Sequence, residues 1–361
     1  MNDSLKVREW ADQFPGAGWI YCLYLLSQQS GIVMASGDIA ISKVFDGEWN
    51  PKEALVIQEM DSKIGAALIE KGATPFILVC LEAPLYAANF YDKKEHYIDK
   101  FKYKLGFGLL KDQFTIPASV DKLRFGFPSY YLNEMKEFSP WSGRAAVVLV
   151  AANKYFSEKS FLLVPLNFKA MLRMIKMGLL FLTSTSYKKS LTLSLHDKRL
   201  ELIQFFLEKE ELTIYGGGWD DLRNLPYYWR RRLLRRNIAA SYMGICKNKK
   251  ETISKFKFAL CLENIESSGY ITEKIVDCFV AGTVPIYLGG EDISTHFPND
   301  SFINLRNFSS FDKMAHCMNQ IDESRAREMV ESGRNFLRLH SAKLNSHEGF
   351  SSSIMELVEK C

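Results

Sequence analysis

Residues 256–290, FKFALCLENIESSGYITEKIVDCFVAGTVPIYLGG, constrain the fold more than any other part of the chain. Two nearly unbroken apolar runs, Phe256–Leu262 and Val284–Leu288, flank a segment in which Ile271, Ile275 and Phe279 share one helical face. Apolar runs of that length predict strands buried on both faces, and a helix between them predicts a crossover, so the segment belongs to a parallel α/β sheet. In such sheets ligands bind beyond the carboxyl ends of the strands. That place is taken here by Glu263 and Asn264, a loop with Ser267, Ser268 and Gly269, and a helix opening near Tyr270. Glu273 and Lys274 then fall in the first helical turn, where open backbone amides attract diphosphate, a cation reaches phosphate and an acid reaches ribose hydroxyls. Alone, an EK pair on an amphipathic helix is usually just solvated. The ordered string around it is what gives it a chemical reading.

The same alternation recurs elsewhere. Apolar runs at 32–35, 54–57 and 76–81 take turns with helical patterns at 18–28 and 62–71, which predicts βαβ units in the N-terminal third. A second series starts at Ala145 with AAVVLVAANK and continues through DKRLELIQFFLEK and LTIYGGGW. The turn composition of SPWSG sets the expected boundary at 140–143. A chain of 361 residues exceeds the size at which one core stops growing. Two domains are therefore expected, 1–142 and 143–361, with a cleft between them. The second domain is interrupted at about 155–196 by a basic, apolar insertion: 159–196 holds six Lys or Arg and no acid.

At 47% hydrophobic and 24% charged residues the chain falls among globular proteins and outside the disordered or fibrous classes. Its net charge of +4 does not by itself point to nucleic acid. The seven cysteines are scattered, with no CxxC spacing, and are read as reduced thiols of a cytoplasmic protein, neither a zinc site nor a disulfide framework. The first thirty residues have neither signal-peptide flanks nor a run long enough to span a membrane.

As a whole, the segment 256–289 resembles the sugar-nucleotide motif of the α1,3/4-fucosyltransferase family, in which a strand ending in FEN leads through YxTEK and a helix to VPIxxG. The likeness extends through FPNDSFINLRNFSSFD at 297–312, is thin in the N-terminal third, and departs from the family at Leu262, where a phenylalanine is usual. The resemblance implies an α/β fold with two Rossmann-like domains facing across a cleft, the GT-B type of glycosyltransferase. It implies a GDP-fucose donor bound by Asn264, Tyr270, Glu273 and Lys274, with Lys274 on the diphosphate and Glu273 on the ribose. By the same resemblance Arg199, on DKRLELIQFF, is the second phosphate cation, and Asn153 follows the first strand of the donor domain. Glu82, which closes the apolar run FILVC before Pro84, is the implied catalytic base. The alternative readings are a surface arginine for Arg199 and a turn-capping acid for Glu82.

The implied chemistry is a single inverting displacement that forms an α1,3 linkage on a glycan acceptor, such as a lipid-linked bacterial lipopolysaccharide. No Asp-x-Asp occurs anywhere, so metal is not expected to be essential and no cofactor is required beyond the donor substrate. The glycine run 216–218 receives no role. Two other readings are a transferase for another nucleotide sugar and a non-catalytic or nucleic-acid-binding protein built on WRRRLLRRN at 229–237. The latter lacks the interleaved strand aromatics of an RNA-binding sheet, so no nucleic acid partner is expected. Within the insertion, Lys169, Arg173 and Lys176 recur at i, i+4 and i+7 beside Met171, Leu172, Ile175, Leu179 and Leu180. A helix there suits peripheral contact with the anionic inner face of the cytoplasmic membrane, and a core helix with a solvated basic edge is its rival.

Overall fold

The computed structural model describes residues 18–60, 62–80, 82–92, 98–106, 134–157, 168–341 and 347–361. The N-terminal stretch 1–17, residue 81 and part of the predicted insertion, 158–167, lie outside the described residues. The chain divides into two compact units, one of residues 1–129 with 340–361 and one of 130–339.

The first unit opens with helices α1 (Gly18–Gln29) and α2 (Gly37–Phe45), followed by β1 (Leu55–Glu59), α3 (Lys63–Glu70), β2 (Thr74–Cys80), α4 (Pro84–Asp92) and β3 (Tyr103–Gly106). Among the described residues the strands form a parallel sheet in the order β1-β2-β3. Phe76 to Cys80 have no exposed surface, as a central strand covered on both faces requires. The apolar run at 32–35 is not a strand. It lies between α1 and α2, where the Ile32 amide donates to the Ser27 carbonyl and Ile32 and Met34 pack on the core.

The second unit contains β4 (Ala145–Val150), α5 (Phe168–Thr183), α6 (Thr185–Thr192), α7 (His196–Glu208), β5 (Leu212–Tyr215), α8 (Tyr227–Arg235), α9 (Ile238–Ser241), α10 (Lys249–Ile253) and β6 (Phe256–Leu262). It continues through α11 (Glu273–Ala281), β7 (Val284–Leu288), α12 (Ile293–His296), β8 (Ile303–Asn304), α13 (Phe311–Asn319) and α14 (Glu323–Ser341). Its sheet is parallel, in the order β5-β4-β6-β7-β8. From β4 the chain moves outward to β5, then crosses back to place β6 on the other side of β4. The strand order therefore reverses between β4 and β6, which is where open α/β sheets place their ligands.

Residues 136–144 pack with this unit. The Lys136 amide donates to the Val280 carbonyl, Arg334 donates to the Lys136 carbonyl, and Phe138 stacks on Trp141. The last helix, α15 (His347–Glu359), belongs instead with the first unit, although the sequence reading runs the second domain to the C-terminus. Its Phe350 meets Trp19 of α1 edge to face at 5.1 Å, and the Ser351 hydroxyl donates to the Trp19 carbonyl. Ile354 and Met355 join Phe76, Ile77 and Val79 in one core cluster. No helix among the described residues is long and apolar enough to cross a membrane. All seven cysteines are unpaired.

Candidate functional site at the β4–β6 switch point

The site grows from Glu263, the first residue beyond β6. Its side chain is fully buried, and its carboxylate accepts from the Thr272 amide (2.8 Å), the Thr272 hydroxyl and Lys274 Nζ (2.7 Å). Room for it comes from Gly289, where a Cβ would stand 2.6 Å from Glu263 Cγ and 2.3 Å from the Tyr287 hydroxyl. Gly290 next to it brings its backbone against the Ser267 carbonyl, 2.7 Å from where a Cβ would sit. The glycine pair after β7 is thus required by close approach.

Thr272 is extended at φ −108°, ψ −176°, and α11 starts at Glu273, later than the sequence pattern predicts. Tyr270 and Ile271 consequently lie in the loop, both buried. The loop is held from outside by Asp292, whose two carboxylate oxygens accept from the Gly269 amide at 2.9 Å, with Gly269 in the left-handed region at φ +76°. Arg306 ties it to the end of β7, donating to the Gly289 carbonyl at 2.6 Å and pairing with Glu266 at 2.6 Å.

Glu273 and Lys274 open α11 as expected. The Lys274 ammonium, with its side chain 20% exposed, sits between Glu263 and the Thr272 hydroxyl. Burial works against its charge, but the Glu263 and Glu273 carboxylates outweigh it and push its pKa up, so Lys274 is a cation at any physiological pH. Glu273 reaches solvent. Local burial raises its pKa, yet Lys274 and Lys249 outweigh this and hold it at about 2. Lys249, on α10, also pairs with the buried Asp277 at 2.6 Å and so fixes α10 against α11.

Arg199 and Asn264 come together. Arg199, on α7 and 4% exposed, donates to the carbonyls of Leu262 and Glu263 and to Asn264 Oδ1 at 3.2–3.3 Å. Its guanidinium therefore braces the end of β6, a role the surface-arginine reading excludes. The start of α7 is set by Asp197, which accepts from the hydroxyls of Tyr155, Ser157 and Tyr228 and from Trp229 Nε1. Asn153, two residues past the neighbouring Ala151, is also buried. Its amide nitrogen donates to the carbonyls of Gly218 and Asp221 and to Asn224 Oδ1, and its own Oδ1 has no partner among the described residues. The glycine run has a structural use here: Gly216, at φ +131°, leaves only 2.2 Å between a Cβ position and the Ala151 carbonyl oxygen.

Glu82 lies in the first unit, at the end of β2. It is half-buried; its Oε1 accepts from the Ala83 amide at 3.1 Å, and its carbonyl accepts from the Tyr91 hydroxyl. Glu59, closing the adjacent β1, escaped the sequence reading. Partial burial, and to a smaller extent the Glu82 charge, push its carboxyl pKa up.

Sequence reasoning also left Glu263, Thr272, Asp292, Asp197 and the Lys249–Asp277 pair without roles. Only Glu263 had a visible signal, as the middle letter of LEN. Among the described residues no group of acids, histidines and cysteines is arranged to hold a metal.

The corner formed by β6, its loop and α11 can therefore receive an anion at Lys274 and hydroxyls at Glu273. Residues 194–331 match the model of the glycosyltransferase family 10 (fucosyltransferase) C-terminal domain. An α-(1,3)-fucosyltransferase of Helicobacter pylori is 45% identical over 67 residues, 19% of this chain and 14% of that one. A mouse 4-galactosyl-N-acetylglucosaminide 3-α-L-fucosyltransferase is 40% identical over 80 residues, 22% of each chain. The aligned part thus spans less than a quarter of these relatives. A solved glycosyltransferase from Rickettsia africae superposes with TM-score 0.51 at 10% identity, covering 92% of this chain and 86% of that one. The fold is the α/β GT-B type, and residues 194–331 of the second unit are similar to the C-terminal domain of the fucosyltransferase family, in agreement with the motif resemblance.

Proposed function

We propose that this chain transfers L-fucose from GDP-β-L-fucose to a hydroxyl of a glycan, with inversion and formation of an α1,3 linkage. The observation that carries this reading is the placement of Lys274 and Glu273 in the first turn of α11, beside buried Glu263, at the switch point of a parallel sheet inside the segment that matches the fucosyltransferase model. Lys274 neutralises the diphosphate and Glu273 receives the ribose hydroxyls. Tyr270 and Asn264 shape the loop around the nucleotide, and Arg199 holds that loop to β6. Asn153 closes the β4 side of the donor pocket.

Glu82 takes the proton of the acceptor hydroxyl as its oxygen attacks the anomeric carbon of fucose. The bond from that carbon to the β-phosphate oxygen breaks, and its electron pair leaves with GDP. Most of the acceleration comes from positioning and from stabilising the departing diphosphate. The acceptor is a bacterial surface glycan, linked to lipid and met at the inner face of the cytoplasmic membrane.

The reading is tested by incubating purified protein with radiolabelled GDP-fucose and an acceptor panel that includes 4-galactosyl-N-acetylglucosaminides and lipid-linked glycans. Labelled product with an α1,3 bond by NMR supports it. Release of neither GDP nor labelled product across the panel contradicts it, and turnover with a different nucleotide sugar transfers the mechanism to that donor.

A further inference from the structure

The helix α5 carries its apolar residues on the outside. Leu172 is 48% exposed, Ile175 52%, Leu179 58% and Leu182 74%, whereas Met177 on the opposite side is 4% exposed. The four exposed residues follow one another at i, i+3, i+7 and i+10, so they form one continuous stripe about 15 Å long. Single exposed leucines are ordinary, but a contiguous stripe on a polar surface marks a contact. The charges beside it have one sign. Lys176 is exposed at the edge of the stripe. The following helix α6 packs against α5 and adds exposed Lys188 and Lys189, with Lys188 lying over the Phe181 ring. No acid occurs anywhere in 159–196.

An apolar stripe with a basic edge, on a helix of 16 residues that does not qualify as a span, has the design of a helix lying in a lipid–water interface. A protein partner would find the same apolar face. What favours a bilayer is the charge: a run of cations without a single acid complements an anionic headgroup layer. We propose that α5 docks this protein onto an anionic phospholipid surface, inserting Leu172, Ile175, Leu179 and Leu182 among the acyl chains while Lys176, Lys188 and Lys189 meet the headgroups. The sequence pattern suggested a basic stripe as the contact; the structure gives the contact face to the leucines and isoleucine, with the basic residues as its border. The use of such docking, delivery of the enzyme to a lipid-linked acceptor, rests on the proposed function, but the docking itself is measured without turnover.

Flotation of the full chain with phosphatidylcholine vesicles, alone and mixed with phosphatidylglycerol, provides the test. The wild type floats with the mixed vesicles at low salt, and less at high salt, because the charge contribution is screened. Each basic residue near such a surface multiplies partitioning by about fivefold. Replacing Lys176, Lys188 and Lys189 with Gln therefore lowers the partition coefficient by about a hundredfold, and replacing the four stripe residues with Ser abolishes flotation. Both variants keep the wild-type melting profile and wild-type turnover of GDP-fucose on a soluble glycan. As an independent probe, Leu179→Trp acquires fluorescence quenched by brominated acyl chains in mixed vesicles.

Failure of the wild type to float with mixed vesicles at low salt overturns the proposal. So does a lipid-free dimer that the four-Ser variant converts to monomer, which assigns the stripe to a second copy of the chain. Flotation without any transfer activity leaves the docking surface standing and removes the proposed reaction.

Discussion

Replacing Glu263 by alanine removes in one step the acceptor for the Thr272 amide, the Thr272 hydroxyl and Lys274 Nζ, and leaves a half-buried ammonium without its hydrogen-bonded carboxylate, with only Glu273 nearby to offset its charge. Breaking a buried ion pair by deleting one partner costs about 3 to 5 kcal/mol. Lys274 keeps 20% side-chain exposure, so water recovers part of the loss and the lower end, about 3 kcal/mol, is expected. Each kcal/mol shifts the melting temperature of a domain of this size by about 2 to 4 °C, so the melting of unit 130–339 falls by about 6 to 12 °C. Calorimetry on Glu263→Ala, Lys274→Ala and the double variant separates the pair from the loop contacts. The double variant is expected to be more stable than the sum of the singles implies, by at least about 1 kcal/mol, because it strands neither charge. A melting temperature of Glu263→Ala indistinguishable from wild type, or strict additivity in the cycle, refutes Glu263 as the post that holds Lys274.

Three other perturbations have opposite or unexpected signs. Gly333→Ala in α14 improves helix propensity by about 1 kcal/mol, yet its Cβ would meet the fully buried Phe279 ring at 2.4 Å. It is expected to lower the melting temperature, with Phe279→Leu restoring part of it, and a more stable Gly333→Ala would refute the close approach of α14 to α11. Burial lowers the His347 pKa from 6.5 to about 4, against the weaker opposing pull of Glu348. The unfolded chain therefore binds this proton first, and stability present in full above pH 6.5 is lost as pH falls toward 4, by about 3 kcal/mol, in urea titrations that report on the first unit. The loss is expected to disappear in His347→Leu, and its persistence there assigns it to other groups. Glu82→Gln is expected to bind GDP as the wild type does and to lose at least about a hundredfold in turnover, the usual minimum contribution of a general base; near-normal turnover across the pH range places the base elsewhere.

The legible parts of the sequence were those governed by burial on two faces. β6 was read with its observed limits, Phe256–Leu262, because a central parallel strand has no polar alternation to blur its ends. The switch point followed from strand order, which no local pattern records. The start of α11 was misplaced because Thr272 is pulled into an extended conformation by Glu263, nine residues earlier, and such a tertiary bond has no periodic signal. The run 32–35 has the composition of a strand but pairs with no strand among the described residues and forms a connection between α1 and α2. Arg199 was found only through resemblance. Its burial and the brace it gives to Leu262, Glu263 and Asn264 are tertiary contacts, and close by in sequence Asp197 gathers four donors, two of them on α8, which no local pattern records. The exposed stripe on α5 inverted a pattern that by hydrophobicity alone reads as a core-facing helix.

The central claim is that the corner of β6 and α11 binds a guanosine diphosphate sugar through Lys274. Isothermal titration of GDP, GDP-fucose and a UDP-sugar into wild type and Lys274→Ala, each first confirmed as folded by its melting profile, tests it most directly. The expected result is binding of GDP and GDP-fucose, no binding of the UDP-sugar, and affinities for both guanosine ligands about 10 to 100 times weaker in Lys274→Ala, as the loss of a charge-assisted contact requires. Equal affinity of the two proteins for GDP-fucose, or a wild type that binds the UDP-sugar and neither guanosine ligand, would contradict it.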